Sequence, residues 1–72
     1  MRIHELSNIA GIPTDQIRYL ERKGFVRPKW KRLKQKRVRE YSDNEVHKVQ
    51  VIAKYLNQGF KYEVAYEKLL MS

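Results

Sequence analysis

Residues 17–26, IRYLERKGFV, decide how this chain is read. Ile17 and Leu20, with the ring of Tyr19, offer one apolar side of a helix. Lys23 and Gly24 then supply a cation in the last turn followed by a residue that tolerates positive φ, the preferred order for a helix end. Upstream, Pro13 can stand at a cap or first-turn position where its missing N–H is harmless, and Thr14 or Asp15 can place oxygen or negative charge at the helix start. The spacing therefore predicts a short helix beginning near Thr14.

A second short helix precedes it. In IHELSNIA, residues 3–10, Ile3, Leu6, Ile9 and Ala10 fall at helical spacing and Gly11 follows as a stop. Two short helices around the GIPT turn make a helix-turn-helix candidate over about 3–24. Phe25 and Val26 are expected to close the core at its end.

Downstream the composition changes. From Arg22 to Arg39 the chain carries ten basic residues and no acidic one, whereas the whole chain has a net charge of +8. Like charges crowded this way repel one another, and an external polyanion relieves that repulsion. Pro28 biases Arg27 toward an extended backbone. Trp30, Leu33, Val38 and Tyr41 among the charges predict two short strands over about 27–41, with Trp30 and Tyr41 supporting the hairpin. No Gly, Asn or Asp marks a tight turn, so the basic tip is expected to be long and mobile.

Ser42 and Glu45 form a capping-box pattern ahead of Val46, Val49, Ile52, Ala53 and Leu56, a helix expected over about 43–58 with Gly59 as its stop. Residues 61–70 put Tyr62, Ala65, Tyr66, Leu69 and Leu70 on a broad apolar face and predict a last helix. Residues 1–72 are thus expected to form a single domain, mainly α with a small β-hairpin.

Several function classes are disfavoured. Cysteine is absent, which removes disulfides and thiolate metal sites. His4 and His47 lie in no metal-ligand spacing or catalytic arrangement, and no phosphate-cradling glycine pattern exists. Neither an enzyme nor a cofactor is expected. No apolar run approaches the ~20 residues needed to span a bilayer, so a soluble, cytoplasmic, nucleoid-associated protein without a membrane partner is expected.

Helix-turn-helix plus basic hairpin suits double-stranded DNA, since a helix fits the major groove while a hairpin can follow the backbone or enter the adjacent groove. Thr14, Asp15, Gln16 and Arg18 lie near the end of the recognition helix that meets base edges. The planar fork of Arg18 matches guanine or phosphate, an ion pair with Glu21 being its structural alternative. Gln16 can reach adenine or phosphate, and the Tyr19 hydroxyl can reach phosphate. Arg22 opens the basic segment, and Arg27, Lys29, Lys31, Arg32, Lys34, Lys36, Arg37 and Arg39 are the expected phosphate anchors. Two rival classes are an excisionase-like architectural DNA-binding protein and a module binding RNA, the ribosome or an acidic protein.

The stretch IHELSNIAGIPTDQIRYLERKGFVRP, with the later REYS and NQGFKYEVAYEKLL, resembles the MerR-type winged-helix DNA-binding domain over nearly the whole chain. The resemblance implies a winged helix-turn-helix that regulates transcription on duplex DNA. It places Arg18 and Tyr19 at the DNA, Gln16 on the recognition surface, and Arg39 in the wing and its support. Leu20 stands where the family often has a second tyrosine, Arg37-Val38-Arg39 replaces a Gly-Tyr-Arg exit, and the stretch from Pro28 to Arg39 is about three residues longer than usual. The long dimerisation helix of the family is not seen, which leaves the oligomeric state open. The chain is also similar to small excisionase-like winged-helix proteins, so RNA polymerase or a recombinase are the further partners the resemblances imply.

Overall fold

A computed structural model describes residues 1–72. The elements run α1 (Ile3–Ala10), α2 (Thr14–Arg22), β1 (Lys29–Leu33), β2 (Lys36–Glu40), α3 (Asp43–Asn57) and α4 (Tyr62–Leu70). This is a mainly helical fold with one antiparallel hairpin, the arrangement of a winged helix-turn-helix.

α1 ends as its sequence requires. Gly11 takes φ +74° and donates its N–H to the Ser7 carbonyl, while the Ser7 hydroxyl donates to the Ile12 carbonyl at 2.6 Å. The first bond satisfies a carbonyl that the helix leaves open, and the second ties the helix to the turn into α2. Ile3 and Leu6 are buried, but Ile9 is 50% exposed. At 100° per residue, Ile9 rotates off the stripe shared by Ile3, Leu6 and Ala10. Pro13 precedes α2 in an extended conformation without a side-chain cap bond, so Asp15 supplies only first-turn charge.

Ile17, Leu20 and Val26 are fully buried with Val49, Ile52 and Ala65, and no charged or polar residue is buried among them. Phe25 packs at the edge of this core, stacked on Tyr66 with ring centroids 4.2 Å apart. Leu70, expected on the inner face of α4, is instead 65% exposed beyond the reach of the core.

The capping box of α3 is half made. The Ser42 hydroxyl accepts the Glu45 N–H at 3.4 Å. The Glu45 carboxylate does not return to Ser42; it accepts the Arg27 N–H at 2.7 Å and pairs with Lys48 at 3.0 Å. Glu45 therefore ties the start of the wing segment to the start of α3.

The hairpin stands outside the core, since every residue of β1 is exposed. Its register pairs Lys29 with Glu40 and Leu33 with Lys36. Only Lys34 and Gln35 remain to turn the chain, which corrects the expectation of a long tip. Lys34 makes the turn by adopting φ +54°, a left-handed conformation costing an L-residue roughly 1–2 kcal/mol. The usual turn residues are therefore not needed: continuous pairing of five residues on each side closes the loop against that cost.

Candidate nucleic-acid interface

Glu21, in the last turn of α2, organises the charged surface. Its side chain is only 11% exposed, and Arg39 Nε on β2 donates to both its oxygens, at 2.9 and 3.1 Å. The Tyr41 hydroxyl donates to Glu21 Oε2 at 2.5 Å. Tyr41 is itself a core residue. One carboxylate thus fastens the exit of the hairpin to α2.

Burial, then the hydrogen bond and negative charge of Glu21, push the Tyr41 hydroxyl above its ordinary pKa near 10. The unfolded chain ionises this tyrosine near pH 10 while the folded chain keeps it protonated. Its contribution is whole below pH 10 and is lost as pH rises toward the folded value. Stability should fall between pH 10 and 11.5 by up to about 1.4 kcal/mol per pH unit from this group. Tyr41→Phe should lose about 1 kcal/mol at pH 8 but show a flatter alkaline limb by circular dichroism melting. Parallel melting curves for the two proteins would contradict this assignment.

Arg18 lies one turn before Glu21, and residues three apart share a helix face. Arg18 therefore lies on the side of α2 from which Glu21 reaches Arg39 and Tyr41 at the exit of the hairpin. It pairs with Asp15 at 3.3 Å and not with Glu21, whose carboxylate is turned to Arg39 and Tyr41. Asp15 is 92% exposed in its side chain, so that pair holds Arg18 only loosely. Asp15, Arg18 and Arg22, spaced by three and four, form an outward stripe. Thr14 and Gln16 are half-buried in the first turn.

Tyr19 projects from α2 toward α4, its ring 4.3 Å from that of Tyr62. Arg22 and Lys23 lie over the Tyr19 ring at 5.8 and 5.7 Å. The start of α4, with exposed Lys61 just before it, therefore borders α2. Sequence reasoning missed this neighbour, because nothing local to KYEVAYEKLL says which helix it meets.

The pleat divides the hairpin cations into two sets. Paired positions put Trp30, Arg32, Arg37 and Arg39 on one face and Lys29, Lys31, Lys36, Leu33 and Val38 on the other. The first face carries the link to Glu21. Arg37 and Arg39 flank Trp30, with guanidinium carbons 5.2 and 4.8 Å from its ring, so Trp30 supports two cations while staying 49% exposed. Lys34 sits at the tip, and exposed Arg27 precedes the hairpin. The wing cations are not one interchangeable group: Arg39 is half committed to Glu21, whereas Arg32 and Arg37 have no carboxylate partner.

A family model described as MerR HTH family regulatory protein matches residues 1–71. The chain is also 32% identical over 71 residues to the HTH-type transcriptional regulator HmrR of Sinorhizobium medicae (strain WSM419). That alignment takes in 99% of this chain and 47% of the relative, so the chain spans about half the length of the curated protein it matches. No helix is long and apolar enough to cross a membrane.

Proposed function

Since this chain belongs to the MerR HTH family of regulatory proteins, we propose that it binds duplex DNA sequence-selectively and regulates transcription by altering promoter occupancy or geometry. The observation that supports this reading is the Glu21 link, which ties α2, the helix that bears Arg18, to the exit of the cationic hairpin. Arg18 reads guanine or grips phosphate, and Gln16 offers adenine or phosphate contact from the first turn beside Thr14 and Asp15. The Tyr19 hydroxyl and Arg22 bind the backbone at the flank of α2. Arg27, Lys29, Lys31, Arg32, Lys34, Lys36, Arg37 and Arg39 supply phosphate contacts, which add affinity without sequence information. Effector sensing and contact with RNA polymerase would fall to a further domain or partner, and the protein would act on the nucleoid.

Selection from a randomised duplex library followed by salt titration tests this. Enrichment of a defined motif is expected, with log K falling against log salt by about 0.9 for each phosphate neutralised. With all eight hairpin cations at phosphate the slope should be about −7. Two motif copies at fixed spacing would report a dimer, and a lone half-site a monomer. No enrichment, with tighter binding to structured RNA, would overturn the proposal.

A further inference from the structure

Beside the wing lies a cleft of ≈ 240 Å³ between the start of α1 and β2, lined by Arg2, Ile3, His4, Arg37, Val38 and Arg39. Three of the six are arginines, a fourth is His4, and none is acidic. They come from segments more than thirty residues apart in the chain, so only the fold brings them together. We propose that this cleft is a phosphate-binding site that takes a backbone phosphate of the bound duplex, extending the contact surface onto α1. This rests on the duplex-binding reading above.

The chemistry of the lining supports an oxyanion. Its volume is several times the ~30 Å³ share of one liquid water, enough for a tetrahedral phosphate group. Arg37 has no carboxylate partner. Arg39 spends Nε on Glu21, leaving its two terminal nitrogens unbonded to protein. Arg2 reaches its nearest carboxylate, Glu40, only at 3.9 Å, and Glu40 is already held by the Met1 ammonium at 2.6 Å. Trp30 lies beneath both wing guanidiniums, so part of the entropy of ordering them is spent before any ligand arrives. Three arginines border the cleft with no carboxylate in its lining, and a bound anion relieves the repulsion among like charges while gaining charge-assisted hydrogen bonds.

The test begins with the full chain and inorganic phosphate, followed by NMR at the arginine Nε–H and His4 imidazole signals. Saturable shifts confined to Arg2, His4, Arg37 and Arg39 are expected. Shifts spread evenly over all basic side chains and growing without saturation would overturn the site. In duplex binding, Arg2→Ala should lower affinity several-fold for every sequence and reduce the salt slope by about 1, leaving the selected motif unchanged. Arg2→Lys should restore most of the slope, a rescue that a merely structural role would not produce. Unchanged affinity and slope in Arg2→Ala would also overturn the proposal. Saturable phosphate binding in a protein that binds no duplex would keep the cleft as a site for a free phosphate ester, and would refute both its assignment to the duplex and the duplex-binding reading.

Discussion

Glu21→Ala should destabilise the fold by about 2–3 kcal/mol, the largest stability loss expected of any single charged residue here. The alanine leaves the Tyr41 hydroxyl, in the core, and the Arg39 guanidinium, 28% exposed in its side chain, without their shared acceptor. Removing one member of a fully buried pair costs about 3–5 kcal/mol; partial exposure of Arg39 screens part of that and lowers the figure. For a domain of this size, 1 kcal/mol moves Tm by roughly 4–8 °C, so a fall on the order of 10–20 °C should be seen in thermal melts. Glu21→Gln, which can still accept from Tyr41, should lose about half as much. In the alanine protein, NMR shifts in residues 29–40 should change more than those of α3, because the wing loses its tether while the core stays packed. A melt within 2–3 °C of wild type would show that the tether contributes little.

Arg18→Ala should have the largest effect on binding with almost none on folding. Its ion pair with Asp15 is exposed and spaced i,i+3, a kind worth about 0.3–0.5 kcal/mol at most. A bidentate contact to a base edge is worth about 1–3 kcal/mol, so affinity for the selected duplex should fall between about fivefold and 150-fold. Arg18→Lys should keep the nonspecific, salt-sensitive part of binding and lose discrimination at one base position, since an ammonium lacks the planar fork. Fluorescence anisotropy on the selected duplex and on a single-base variant separates the two effects. Equal, small losses on both duplexes would reduce Arg18 to a phosphate contact, and no loss on either would remove it from the interface.

Most elements were legible because the information lay within a few residues. Ile17 and Leu20 ahead of Lys23-Gly24, and Val49, Ile52 and Ala53 after Ser42, mark helices through local periodicity and punctuation. The hairpin was legible from its extended apolar positions, but its tip was misread. Turn chemistry alone suggests looseness there, while ladder pairing forces a two-residue turn through Lys34. Ile9 and Leu70 were likewise misplaced, because spacing gives a face only to within the angular drift of a short helix.

By itself, the sequence determined the order of elements, the cationic wing and the types of side chain available for nucleic acid, since propensity, periodicity and net charge are local or additive. The tertiary structure decided the pairings. It gave Glu21 to Arg39 and Tyr41, left Arg18 with Asp15, set Tyr19 against Tyr62, and gathered Arg2 and His4 with Arg37. Those outcomes depend on which surfaces meet after the core has packed, and a carboxylate close to several cations along the chain is claimed by the partners that burial brings within hydrogen-bond distance.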